Sequence, residues 1–338
     1  MKRLVIYLIC SLLSVPLLAQ TRLWSSTLEG EKRLRDHSLS SIGLRTTQYD
    51  GVHHLIGISV DAAYSALLTN MPYVTQTPGG YGVGLGLHYA YLNGKLLVQL
   101  GADVRWQDVQ NKQSDICIER KDIDTWGIPF DLKYDIVNRS DKSRNLYVEV
   151  PLQAGFIMIG GCYVLIGPKL NFQVYGSTYS SNITTTTARY PDRYIGVFEE
   201  MDNHGIRKEV PLNVKHEKLN FNFNVMASAE VGYEFGISTK GYRSYRKNDT
   251  DDYRLRIAGF VDIGLLNIMP KGDAPLYNIP EETRYDFATF EFNHPFSTID
   301  AQNYSLHNLF TGVKLSFFFY GYQSQEKCIL CGSRGIQR

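Results

Sequence analysis

The stretch GVGLGLHYAYLNGKLLVQLGADVRWQ, residues 82–107, decides the fold. Val83, Leu85, Leu87, Tyr89 and Tyr91 alternate with Gly82, Gly84, Gly86, His88 and Ala90, so one face of a strand is greasy and the other bare. Asn93-Gly94 then predicts a two-residue type I′ turn, because both residues tolerate positive φ. Beyond it, Leu96, Val98, Leu100, Ala102, Val104 and Trp106 alternate with Leu97, Gln99, Gly101, Asp103, Arg105 and Gln107. Such a turn sets Tyr91 opposite Leu96, Leu87 opposite Leu100 and Val83 opposite Val104. On the other face it pairs His88 with Gln99, Gly84 with Asp103 and Gly82 with Arg105. Tyr89 and Tyr91 near the turn, with Tyr81 and Trp106 at the far end, read as two aromatic girdles. Ten residues at about 3.3 Å, tilted near 45°, rise roughly 23 Å, close to the apolar band of a membrane barrel.

The same pattern recurs. Val148, Val150, Leu152, Ala154, Phe156 and Met158 precede a turn around Gly160-Gly161, and Val164, Ile166, Pro168, Leu170, Phe172 and Val174 follow it. Parity requires an odd-length loop there, most simply Gly160-Gly161-Cys162, and Pro168 marks a candidate bulge since it cannot donate to a ladder. Further strands carry Phe221, Phe223, Val225, Ala227, Ala229, Val231, Tyr233 and Phe235; Leu255, Ile257, Gly259, Val261, Ile263 and Leu265; and Leu309, Thr311, Val313, Leu315, Phe317 and Phe319. The first is marked by Ile56, Ile58, Val60, Ala62 and Tyr64. Long polar connections at 67–80, 108–145, 176–219 and 267–305 alternate with shorter ones. The expectation is an all-β, transmembrane, antiparallel up-and-down β-barrel of eight strands with long extracellular loops. Segments 130–137 and 286–292 would raise the count to ten and read instead as strand-like arms above the membrane.

Composition agrees: Tyr (23), Phe (16) and Gly (29) are abundant while helix periodicity is scarce, which favours an all-β chain. The first residues carry Lys2 and Arg3, an apolar run over 4–18 and Ala19 at a plausible cleavage point, a signal peptide of residues 1–19. A periplasmic segment (20–50), the barrel (51–320) and a periplasmic tail (321–338) would follow. The formal charge of +1 falls to about neutral without Lys2 and Arg3, so nothing points to nucleic acid. The expected partners are outer-membrane lipid and an extracellular ligand or envelope protein.

Leu17-Leu18-Ala19-Gln20, the segment Tyr147-Val148-Glu149-Val150-Pro151-Leu152, Gly167-Pro168-Lys169-Leu170 and Gly312-Val313-Lys314-Leu315 carry a likeness. With them the chain resembles the outer-membrane β-barrels of the Bacteroidota, PorT-like and OmpA-like in class. That resemblance implies location and fold and little about activity. The peptidoglycan-binding domain that some such proteins carry after the barrel has no counterpart after Tyr320.

The inward positions gather both signs of charge: Asp103, Glu149, Glu230, Glu234 and Asp262 against Arg105, Lys169, Arg254, Arg256 and Lys314. An eight-stranded bore is just filled by side chains, so these should pair as a plug instead of lining a channel. A small pore or a transport- or secretion-associated barrel is the alternative, and an outer-membrane hydrolase a lesser one. His204, His294 and His307 lie in long loops among many Ser, Asp and Glu, but no motif selects a triad.

Other motifs fail their context. The glycines of 79–86 alternate on a strand with no helix after them, unlike a phosphate cradle. His53-His54 point to opposite sides of a strand and read as surface histidines; no cofactor or metal is expected. Cys328-Ile329-Leu330-Cys331 has redox or zinc spacing without a second pair. The sequons at Asn138, Asn182 and Asn303 have eukaryotic significance. Cys117 in an outer loop and Cys162 on the periplasmic side should not pair.

Overall fold

A computed structural model describes residues 44–46, 52–72, 74–123, 127–158, 161–190, 208–217, 220–237, 253–272, 275–278 and 291–320. The proposed signal peptide, the tail with Cys328 and Cys331, and His204 lie outside them. The strands are β1 (Leu44–Thr46), β2 (Val52–Thr69), β3 (Val74–Asn93), β4 (Leu96–Gln113), β5 (Ile116–Ile123), β6 (Pro129–Ile157), β7 (Cys162–Arg189), β8 (Val210–Glu217), β9 (Asn224–Ile237), β10 (Tyr253–Gly264), β11 (Tyr277–Asn278), β12 (Glu291–Phe292) and β13 (Leu306–Tyr320). Eight of them, β2, β3, β4, β6, β7, β9, β10 and β13, pair antiparallel in a ring that β7 and β9 close. Closure leaves the membrane-height wall without a free edge.

Ring geometry follows from the registers. Starting at His54, opposite residues run through Tyr91, Val98, Ala154, Ile166, Ala229, Val261 and Thr311, and return to β2 at Tyr64, ten residues further on. A stagger of that size over eight strands corresponds to a tilt of about 40° and a bore that side chains just fill.

Alternation sorts the side chains as the sequence pattern requires. Ile56, Ile58, Val60, Val83, Leu85, Leu87, Leu100, Leu152, Phe156, Ile166, Val174 and Val313 point outward and are exposed, Leu87 at 64%. A continuous exposed aliphatic belt of this kind is stable against lipid, not water. Tyr64, Tyr81, Trp106 and Tyr175 bound it toward the loop end. At the turn end His54 accompanies Tyr89 and Tyr91, with His54 Nδ1 2.5 Å from the Tyr89 hydroxyl, and Tyr253 stacks on Phe317, ring centroids 5.4 Å apart.

The β3–β4 hairpin differs in register. Its ends are Asn93 opposite Leu96, so Leu87 faces Ala102 and Val83 faces Trp106, while His88 faces Gly101, Gly84 faces Arg105, Gly86 faces Asp103 and Gly82 faces Gln107. The shift is two residues and every face is preserved. Its cause is the turn: positive φ is confined to Gly94 (57°), as a type II′ turn needs, so Lys95 takes the second turn position and Asn93 stays in the strand.

The β6–β7 turn is odd-length, as parity demands, but centred one residue earlier. The Met158 N–H donates to the Cys162 carbonyl at 2.7 Å and Ile157 lies opposite Tyr163, with Gly161 at φ 89°. Pro168 makes no bulge and runs in register opposite Ala227. The irregularities of the β6–β7 ladder lie instead between Val137 and Ser140 and between Leu146 and Tyr147.

Several expected loops are strand. Residues 67–80 form the top of the β2–β3 hairpin, 108–145 hold the end of β4, β5 and the upper half of β6, and 176–217 hold the upper half of β7 and β8. Together β4 to β8 carry the sheet well beyond the belt. Segment 130–137 is the continuous upper part of β6, paired to β5. Of 286–292 only Glu291–Phe292 is described, paired to Tyr277–Asn278. Phe221 precedes β9 and turns inward, buried with Phe296, Met269 and Leu306 in an apolar cap over the loop end. His53 is buried, not a surface residue, because it takes an inward position of β2.

Candidate functional site

The lumen is layered. At the turn end Leu55, Leu92, Leu97, Ile157, Leu165 and Phe318 close it with an apolar plug. All ten inward charges expected from the sequence lie inside and are buried, with Glu149, Glu234 and Asp262 at 0% exposure.

Next to the plug, the Arg256 guanidinium lies 4.3 Å from the Phe318 ring centroid. It donates from Nε to Glu234 Oε2 at 2.6 Å and from Nη1 to Gln99 Oε1 at 3.0 Å. Arg254 Nη1 reaches the other oxygen of Glu234 at 3.2 Å. Glu230 accepts from the Tyr163 hydroxyl at 2.6 Å and from Lys314 Nζ at 3.2 Å. These are charge-assisted bonds, which offset the loss of hydration that a lone buried ion would suffer.

His88 sits in the same layer. Its Nε2 lies 3.0 Å from Asp103 Oδ1 and 2.7 Å from Ser59 Oγ, and its Nδ1 lies 3.2 Å from Gln99 Nε2. Gln99 uses its oxygen for Arg256, so its amide N–H must donate to Nδ1. That leaves the ring proton on Nε2, whose hydrogen bond the Ser59 hydroxyl oxygen can accept at 2.7 Å, with Asp103 Oδ1 beside it at 3.0 Å. The Ser59 hydroxyl therefore faces a nitrogen that already carries a proton. A nucleophilic triad needs serine and carboxylate on different ring nitrogens, so this Ser, His and Asp set lacks the geometry.

The middle layer centres on Arg105 of β4. It contacts Asp61 of β2 at 3.3 Å, Glu149 of β6 at 3.2 Å and Asp262 of β10 at 3.0 Å. Lys169 of β7 contacts Asp262 at 2.6 Å and Glu149 at 3.4 Å. Ser228 donates to Asp262 Oδ1 at 2.6 Å, and Asn171 to Glu149 Oε1 at 2.9 Å. Phe310 and Phe260 lie against the Arg105 guanidinium, at 4.8 and 5.2 Å. With Ala63, Tyr147 and Met226 they form an apolar disc across the bore.

Above the disc runs an amide belt. Gln107 Nε2 donates to Ser65 Oγ at 2.6 Å, Asn145 Nδ2 to Gln107 Oε1 at 3.2 Å, and Gln173 Nε2 to Asn145 Oδ1 at 2.9 Å. The Phe221 N–H donates to Gln173 Oε1 and ties the cap to the belt.

The bare face of β3 makes room for these groups. A Cβ on Gly84 would sit 2.2 Å from Asp61 Oδ2, and one on Gly86 would sit 1.9 Å from Asp103 Oδ1. The glycines once comparable to a phosphate cradle are thus the space into which two carboxylates fold.

Asp61, His88 and Ser59 belong to the network without having been singled out as site residues. Asp61 was legible, since it falls at an inward position between Val60 and Ala62. The inward aromatics Tyr163, Phe260, Phe310 and Phe318 were not, because aromatic residues on a strand read first as lipid-facing. Of the girdle residues, Tyr81 and Tyr89 are exposed and Tyr91 and Trp106 half-buried, all on the outer face. Of the loop histidines, His294 caps a 3-10 turn, Nδ1 accepting from the Phe296 N–H at 3.3 Å. No cluster of three or more His, Cys, Asp or Glu able to hold a metal occurs among the described residues.

No protein-family model matches the chain, and no curated protein matches its sequence. Among solved structures it is similar to two of Ail, the attachment invasion locus protein of Yersinia pestis, one of them in complex with the heparin analogue sucrose octasulfate. Both are 9% identical over 78% of this chain and 99% of theirs, with TM-scores of 0.20 for the complex and 0.22 for the other. At these scores neither bears on what this barrel does.

Proposed function

We propose that the chain is an exported outer-membrane barrel, non-enzymatic and closed to general solute diffusion, whose role is structural or surface-binding and is carried by the sheet and loops of its loop end. The observation that carries this reading is the filled bore. Arg105 reaches from β4 to Asp262 on β10, the strand across the ring, and apolar layers lie on both sides of the charge network. An aqueous channel needs the opposite, charges that face water.

The apolar belt with its aromatic borders supports a surrounding bilayer, and the leader over 1–19 supports export to the outer membrane of a bacterium, the Bacteroidota class being the one it resembles. The short connections after β3, at 94–95, and between β6 and β7 then face the periplasm, and the tall β4–β8 sheet faces outward, where an extracellular ligand or envelope protein would meet it. A protease site inserted between residues 191 and 207 should be cleaved on intact cells, whereas one after Tyr320 should not. The refolded protein should show no steady ohmic conductance in planar bilayers. Large steady conductance would replace this reading with the pore or transport alternative, and surface cleavage of the tail would invert the orientation.

A further inference from the structure

Above the cap-lining Val109, the inward face of the β4–β6–β7 sheet changes character. Asn111 lies opposite Asp141, which lies opposite Ser180; one step below, Val109, Ser143 and Thr178 form the neighbouring row. Gln113 and Asn182 take the next inward positions upward on the flanking strands, with Arg139 on β6. Asn111, Arg139, Asp141, Ser143, Thr178, Ser180 and Asn182 are each at most 3% exposed, and Gln113 6%. Yet both amide atoms of Asn111, both of Gln113, Asp141 Oδ2, Ser143 Oγ and Asn182 Nδ2 have no hydrogen-bond partner among the described residues. Buried polar atoms normally find partners, and a group of them on one face is an open demand for donors and acceptors.

We propose that this floor is a binding site for an uncharged, polyhydroxylated ligand, a saccharide of one or two rings. Each unsatisfied carboxamide offers a donor and an acceptor side by side, which matches a pair of vicinal ring hydroxyls. Arg139 and Asp141 oppose each other in sign, so the floor attracts neither anion nor cation strongly. Three strands by five residues make it roughly 10 Å by 13 Å, the footprint of one or two sugar rings. Past the irregularity at Asn138, Ile136 and Tyr134 continue the same face, both buried, and give an apolar flank for ring C–H groups. The atoms are shut off from solvent, so uptake is coupled to local opening at the loop end. This site rests on the outward-facing orientation proposed above.

The test uses the refolded full chain in detergent micelles on a printed set of neutral glycans with their sialylated and sulfated counterparts. Heat-modifiable migration on gels certifies folding of every variant. Retention on neutral glycans is expected, with Asn111→Leu and Asn182→Leu each lowering it at least tenfold and Lys142→Ala, on the outward face of β6, leaving it unchanged. Retention on no neutral glycan, retention on charged glycans alone, or equal retention by wild type and both Leu variants would overturn the site. So would a high-resolution structure grown with a retained glycan that shows only ordered water on the floor. A protein that is folded and surface-cleavable on cells yet binds no neutral glycan refutes the site alone; one whose loop end is shielded on cells refutes the orientation.

Discussion

Arg105 on β4 and Asp262 on β10 stand four strands apart by either route round the ring, and their side chains meet with Nη1 3.0 Å from Oδ2. A single guanidinium thus spans the bore. Because it also touches Asp61 and Glu149, it ties four strands of which only β4 and β6 are neighbours in the sheet. The wall is held by local hydrogen bonds and the lumen by long-range ion pairs.

Arg105→Met keeps an unbranched stem and removes the charge together with the guanidinium that lies against Phe310. Asp61 and Glu149 would then be left with less compensation, and breaking a buried network in this way costs roughly 3–5 kcal/mol. Urea unfolding in lipid vesicles, followed by tryptophan fluorescence, should show a midpoint shift of that size. Arg105→Lys should fall in between, since one ammonium cannot reach three carboxylates together. A shift below about 1 kcal/mol for Arg105→Met would mean that the plug is not a structural keystone.

Gly84 should resist even alanine. A methyl group there collides with Asp61 Oδ2 at 2.2 Å and pushes it from Arg105. Overpacking of this kind costs typically 1–3 kcal/mol. Asp61→Ala should relieve part of the Gly84→Ala loss, so a double-mutant cycle on the same unfolding assay should give a coupling of about 1 kcal/mol or more. Additive losses would show that the two positions do not compete for space.

The alternation that sorts lipid-facing from lumen-facing residues was legible in the sequence for the aliphatic and charged positions, because a strand's side chains alternate whatever its neighbours do. All ten lumen charges follow from that rule. Register was less legible. Asn93-Gly94 admits a turn on those two residues or on Gly94-Lys95, and both preserve the faces, so no hydrophobic pattern separates them. The upper arm of β6 was legible as a strand-like segment over 130–137, but its continuity with the strand below was not. An irregularity at Asn138, whose φ is 54°, reverses the parity between Phe130, Leu132, Tyr134 and Ile136 and the run from Arg139 to Ile157. The alternation breaks there, so the two stretches read as separate segments instead of one strand.

Cys117 and Cys162 should remain unbridged under oxidising conditions. Cys117 lies opposite Asp135, which lies opposite Thr185, whereas Cys162 begins β7 at the turn end. The intervening length of β7 spans roughly 75 Å, against a limit of about 7 Å for Cα atoms in a disulfide. Mass spectrometry of the non-reduced protein should find no peptide joining the two, and such a peptide would contradict the strand order itself.

Asp141 gives the barrel's loop end a pH dependence whose sign is opposite to that of most carboxylates. Burial pushes its carboxyl up to about 6 from an ordinary value of 3.8, against the smaller opposing pull of the Ser180 hydroxyl, which donates to Oδ1 at 2.5 Å, and of Arg139. The folded state therefore holds the proton more tightly than the unfolded chain does. Between about pH 4 and pH 6 the folded form binds more protons, so stability falls as pH rises through that window and stays low above it. The full shift corresponds to roughly 3 kcal/mol. Asp141→Asn supplies a neutral isostere at every pH, so its effect should change with conditions: close to neutral at pH 4.5 and stabilising at pH 7.5. Hydrogen exchange of the paired backbone around Asn111, Asp141 and Ser180 reads this locally, apart from titration of the membrane-embedded lumen. Protection there should fall in the wild type between pH 4.5 and pH 7.5, after correction for intrinsic exchange, and stay level in the variant. Equal pH dependence in both proteins would mean that Asp141 is ionised in the folded state throughout, with its unpartnered oxygen satisfied by a group that favours the charge.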